Sequence, residues 1–228
     1  RLVFVNGIFD AHHSCVSGLP AGVRFMHLAT ATEAANQLGN LLTPEHSDIF
    51  ANLNTARFKE GAYLFVPKGV TVEAPLHLLF LSHAEERPTF TLPRLLVVLE
   101  RGASAELIEE YQGQGTYFTN TAVEIFIAEG AELRHERIQR ESPDAFHISN
   151  LRARVEKDGR YHSRTITFGA KLSRQTPEVV LAAEGAEASL DGLALLGGTQ
   201  LADTHSVLDH TRPRGARRLH RQLHSSRQ

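Results

Sequence analysis

The chain has 228 residues, 42% hydrophobic and 22% charged, enough for one sizeable core in an ordinary soluble protein. Its net charge is −2, unevenly spread, and no apolar stretch approaches the roughly 20 residues of a membrane-spanning helix. The single cysteine, Cys15, excludes an internal disulfide framework and suits a reducing compartment. It also excludes an iron–sulfur cluster held by this chain alone, since such clusters usually need four thiolates.

Residues 1–22 read as a small hairpin, with turn signals at Asn6-Gly7 and Ser17-Gly18-Leu19-Pro20. Residues 30–57 read as helical. Thr30 or Thr32 supplies a cap, and Ala34, Ala35, Leu38, Leu41 and Leu42 form an apolar face. Asp48 to Phe58 reads as a second short helix with Ile49, Phe50, Leu53 and Ala56 on one side. At Gly61 the period changes from about 3.6 to 2.

From there a phrase recurs: a charged residue, a glycine, then alternating small or apolar and polar residues. It stands at Lys68-Gly69-Val70, Arg101-Gly102-Ala103, Glu129-Gly130-Ala131, Asp158-Gly159-Arg160 and Glu184-Gly185-Ala186, with the glycines 33, 28, 29 and 26 residues apart. Such periods signal stacked repeats. After the turns, Ala131, Leu133 and His135 alternate with Glu132, Arg134 and Glu136. Ala186, Ala188 and Leu190 alternate with Glu187, Ser189 and Asp191, and Leu151, Ala153 and Val155 with Arg152 and Arg154. Each such strand buries one face. No helix-length segment separates the strands, so βαβ units are excluded. A parallel β-helix and a sandwich or barrel of hairpins both fit; small residues at the corners (Ala103, Ala131, Ala186) favour the β-helix.

Several residue groups invite chemistry. Asp203, His205 and Asp209 share the odd positions of a continuous strand, with His210 opposite, so His205, Asp209 and His210 are candidate metal ligands. His220 and His224 are four apart in a region read as strand or loop. Glu106, Glu109, Glu110 and Tyr111 resemble an acid–base cluster but read better as a solvated edge. Gly113-Gln114-Gly115 and Gly197-Gly198 lack the Lys and Ser/Thr of a phosphate loop. Cys15 reads as an inert, half-buried thiol. Residues 211–228 carry six arginines and no acid but no interleaved aromatics, so a solvated or interface segment is expected rather than a base-stacking platform.

Longer strings carry a resemblance. Asn54-Thr55-Ala56-Arg57-Phe58-Lys59-Glu60-Gly61-Ala62-Tyr63 followed by Val66-Pro67-Lys68-Gly69-Val70 resembles the start of the β-helix core of the SufB/SufD family. Pro93 to Ala103, Asn120 to Ala131, Asp203-Thr204-His205-Ser206 and Asp209-His210 are similar to its later coils, so the likeness covers about residues 45–224. The near-absence of cysteine and the Phe-Lys-Glu-Gly-Ala-Tyr string are more like SufD than SufB. The resemblance implies an all-β, right-handed parallel β-helix over 58–228, preceded by a loop and helical region over 1–57. It implies a non-catalytic scaffold of the SufBCD iron–sulfur assembly complex, cytoplasmic in a bacterium or placed in a plastid. Its partners would be a SufB-like β-helix subunit and a SufC-like ATPase, with no cofactor bound by this chain alone and no nucleic acid or membrane partner. The family's C-terminal helical docking domain and its interface histidine are expected beyond Gln228. The alternative is a metal-dependent β-helix or cupin-like enzyme using Asp203, His205 and His210.

Overall fold

A computed structural model describes the backbone of residues 1–211 and 216–226, and the side chains of residues 1–84 and 87–211. The strands in chain order are β1 (Leu2–Val5), β2 (Ile8–Phe9), β3 (Arg24–His27), β4 (Gly61–Val66), β5 (Leu76–Thr91), β6 (Arg94–Leu99), β7 (Ser104–Ile127) and β8 (Glu132–Arg140). Then come β9 (Phe146–Val155), β10 (Arg160–Thr167), β11 (Leu172–Leu181), β12 (Glu187–Gly197), β13 (Leu201–Thr204), β14 (Val207–His210) and β15 (Ala216–Ser226). Among the described residues there is one α-helix, α1 (Ile49–Arg57).

These strands wind into a parallel β-solenoid, as the repeated turn implied. One stack runs β1, the first part of β5, the first part of β7, β8, β10, β12 and β15. The other runs β4, β6, the second part of β7, β9, β11, and then β13 and β14. β7 serves both stacks because it turns a corner at Gly113-Gln114-Gly115. Gly115 has φ +85°, and a Cβ there would lie 1.9 Å from the Ala84 carbonyl oxygen, so only glycine lets these coils stack.

The repeated turn is itself a ladder. The Gly69 amide donates to the Arg101 carbonyl, Gly102 to Glu129, Gly130 to Lys157 and Asp158 to Glu184, each bond tying one coil to the next. The left-handed position is held by Gly69, Gly102, Gly130, Asp158 and Gly185. In the fourth coil it is therefore Asp158 (φ +55°), not Gly159, that takes it; aspartate tolerates this region better than most residues. Gly159 instead occupies the inward corner filled elsewhere by Ala103, Ala131 and Ala186, all at most 1% exposed.

The N-terminal segment differs from the sequence expectation in two respects. Asn6-Gly7 does turn a hairpin between β1 and β2, and β1 also extends the first stack by pairing with β5. The long helix expected after Thr30 is instead a set of short 3-10 turns at Leu28–Thr30, Thr32–Asn36 and Pro44–His46, without side-chain caps. Here packing overrides propensity. Leu28, Ala31 and Ala34 are pressed onto Tyr63, Leu96 and Val98 on the outer face of β4 and β6. α1 is capped by Asp48, whose side chain accepts from the Ala51 amide at 2.8 Å. Its buried face is Ala51 and Asn54 rather than the apolar side read from sequence: Ile49 is 77% exposed. Asn54 donates to the carbonyls of Pro93 (3.0 Å) and Asn120 (2.8 Å), so the helix docks through a buried amide.

Beside it, Arg94 and Glu124 form a fully buried ion pair. Glu124 also accepts from the amides of Gly39 and Leu41 at 2.8 Å and of Leu42 at 3.3 Å, which fastens the loop to the solenoid wall. No helix among the described residues is long and apolar enough to cross a membrane.

Candidate functional site

Strand alternation decides what lies inside the solenoid. From Ala103 the odd residues of β7 point inward: Ala105, Leu107, Glu109 and Tyr111, all buried. From Ala131 the odd residues of β8 do the same, reaching His135, Arg137 and Gln139. The interior therefore changes character along its axis. Phe4, Phe80 and Tyr111 lie in register and stack at 5.0 and 4.9 Å, forming an aromatic column at the N-terminal end. Beyond Tyr111 the interior turns polar. Leu78, Glu109, Arg137, Thr165 and Gly192 are successive rungs of one column, and Leu107, His135, Ser163 and Leu190 of the next.

Two hydrogen-bonded chains fill the polar layer. In the first, Glu109 accepts from Tyr111 and, at 2.8 Å, from His135 Nε2, while His135 Nδ1 lies 3.1 Å from the Tyr161 hydroxyl. Burial alone would raise the Glu109 pKa. The hydrogen bond and charge of His135, the charge of Arg137 and the Tyr111 hydroxyl outweigh it and hold the carboxylate at about 2. Burial and the nearby carboxylate push the Tyr111 phenol well up, so it remains a donor.

In the second chain, Arg137 donates to His147 Nε2, and His147 Nδ1 donates to Glu141 at 2.7 Å. A guanidinium has no acceptor, so Nε2 carries no proton and His147 is the neutral Nδ1–H tautomer. That agrees with its pKa, which burial lowers against the opposing pull of Glu141. Glu141 also accepts from Gln139 (2.8 Å) and Thr119 (3.3 Å), and Ser173 donates to Gln139 at 2.8 Å. The Arg137 guanidinium lies 5.3 Å from the centre of the Tyr111 ring and so links the two chains.

Above this layer the side chains shrink and a cavity of about 330 Å³ opens. Its wall includes Arg137, Ser163, Thr165, Ser173, Gln175 and Gly192.

The sequence-derived candidates fall elsewhere or divide. Glu109 and Tyr111 belong to the interior, whereas Glu110 faces outward beside His77 (3.0 Å) and Arg140 (2.9 Å), so the acids are not one solvated edge. The continuous strand assumed from Asp203 to His210 is broken after Thr204, where β13 ends before β14 begins. Asp203 and His205 line the mouth of the cavity, with Asp203 3.7 Å from Arg174, while Asp209 is exposed on β14 and His210 half-buried. Among the described residues no group of three His, Cys, Asp or Glu is placed to hold a metal ion. The side chains of His220, His224 and the terminal arginines lie outside the described residues. Cys15 is exposed rather than half-buried, and a hydrogen bond with Ser17 lowers its pKa.

Sequence reasoning missed Arg137, Gln139, Glu141, His147 and Tyr161 as a set. The signal was present: extending the alternation from Ala131 and Gly159 places His135, Arg137 and Tyr161 on the inward register.

Residues 1–78 match the SufBD protein N-terminal region, and residues 80–222 match the core domain described as SUF system FeS cluster assembly, SufBD core. The chain belongs to the SufBD family. An iron–sulfur cluster assembly SufBD family protein of Synechocystis sp. is 34% identical over 229 residues, 95% of this chain and 51% of that protein. Protein ABCI7, chloroplastic, of Arabidopsis thaliana is 30% identical over 241 residues, 99% of this chain and 50% of that protein. A SufBD family protein of Staphylococcus haemolyticus is 28% identical over 75% of this chain and 37% of its own length. The chain thus spans about half the length or less of these curated relatives. SufBD membership accounts for the solenoid.

Proposed function

We propose that this chain is a non-catalytic, SufD-like scaffold of the SufBCD iron–sulfur assembly complex, working in a bacterial cytoplasm or a plastid. The observation that carries the reading is the match of both SufBD regions along nearly the whole chain. Two further features support it. One exposed cysteine is too few to hold a cluster, so cluster thiolates come largely from a partner. Every carboxylate oxygen of the interior pair Glu109 and Glu141 already accepts a hydrogen bond, which suits a fixed structural layer better than an acid–base pair. In this reading a SufB-like β-helix subunit pairs with the solenoid, and a SufC-like ATPase drives the movement that opens cluster-building groups at their interface.

Size-exclusion chromatography of the full-length protein with SufB-like and SufC-like partners tests the pairing. One co-eluting complex is expected, and three separate peaks would count against it. Metal analysis of the freshly purified protein separates the enzyme alternative. Stoichiometric metal that is lost in His205→Ala would move Asp203, His205 and His210 into a metal site and overturn the scaffold reading.

A further inference from the structure

We propose that the interior cavity is a binding site for a small oxyanion, a phosphate or carboxylate group, anchored by Arg137. One buried donor is unmet. Arg137 is 6% exposed, and its Nε has no hydrogen-bond partner in the protein, while a terminal guanidinium nitrogen is committed to His147. A buried N–H without an acceptor is costly, and a charged one more so. Arg137 lines the cavity, and so does Thr176, whose buried hydroxyl is also unpartnered. The Arg137 Nε–H can only donate, and no protein acceptor meets it.

The neighbouring carboxylates do not supply one. Glu109 is taken by Tyr111 and His135, and Glu141 by His147, Gln139 and Thr119. The wall's own carboxylates are Asp203, 3.7 Å from Arg174, and Asp191; its other polar groups include the hydroxyls of Ser149, Ser163, Thr165, Thr167 and Ser173 and the Gln175 amide. The space is built by the sequence. On the rung above Arg137 and Thr165 stands Gly192, and a Cβ placed there would meet nothing within 4 Å. The volume of about 330 Å³ falls in the range of small-ligand sites. An oxyanion is the acceptor that a guanidinium edge and a ring of hydroxyls recognise best. This site is independent of the scaffold role, since it lies inside the solenoid.

Isothermal titration calorimetry of the 228-residue chain with inorganic phosphate in one arm and succinate in the other tests the proposal. Saturable binding of one equivalent is expected in at least one arm, and the arm that saturates identifies the group. Arg137→Gln should weaken it about tenfold or more. Because Arg137 also supports His147, a second variant guards against misfolding. Gly192→Leu fills the open space without touching the network and should abolish binding while leaving the melting temperature near that of the parent. Absence of saturation in both arms through the millimolar range, or undiminished binding by folded Gly192→Leu, overturns the proposal.

Discussion

Placing a carboxylate inside a solenoid costs several kcal/mol unless its lone pairs are met, and Glu109 and His147 show how the charge state is then set. Glu109 ionises at about 2 in the folded chain against an ordinary 4.5. Its depressed pKa stabilises the fold above about 4.5, and that contribution is lost as pH falls towards 2. His147 is held below its ordinary 6.5, foremost by burial. The unfolded chain then takes up its proton first, so stability also declines as pH drops below 6.5. Both slopes have the same sign. The urea midpoint of the parent should fall from pH 7 to pH 5 and then more steeply below pH 4.5. His147→Gln should flatten the first limb and Glu109→Gln the second, each from a lower starting stability. A parent midpoint that rises on acidification would contradict these assignments.

Among the elements, the turns and the docked N-terminal loop carry separable demands. Gly130 adopts φ +65° but has open space around its missing side chain, whereas a Cβ on Gly61 would sit 1.9 Å from the Arg94 carbonyl oxygen. Gly130→Ala should therefore cost only about 1–2 kcal/mol of backbone strain. Gly61→Ala, which must push β4 off β6, should cost about 3 kcal/mol. Chemical denaturation of the two variants checks the order, and equal losses would contradict it. Glu124→Ala leaves Arg94 buried without its partner and should cost about 3–5 kcal/mol. Hydrogen exchange should then accelerate first at the amides of Gly39, Leu41 and Leu42, which Glu124 caps.

These elements also show what the sequence made legible. Repetition and alternation located the corners and the inward small residues, because both follow from a period that any reader can count. The helical face of Ile49 and Leu53 misled because α1 docks through Asn54, a polar contact that periodicity does not weigh. The interior site went unread because charged residues on a strand are taken as outward until the register is carried through them. Glu109, Arg137 and His135 lie on the same inward parity as Ala103, Leu133 and Ala131.

On the scale of the whole molecule, parallel coils stack into a solenoid with an aromatic end, a polar middle and a cavity towards β12 and β13. Apart from that cavity the interior is filled by internal bonds, and the proposed scaffold role places partners on the outer faces. Reconstitution of cluster assembly tests this most directly. Iron, a sulfide source and ATP are supplied to SufB-like and SufC-like proteins with and without the full-length protein, and cluster formation is followed by visible absorbance. Efficient assembly is expected only when all three proteins are present, and none by this protein alone. Equal yields without it, or clusters formed on it by itself, would contradict the scaffold role.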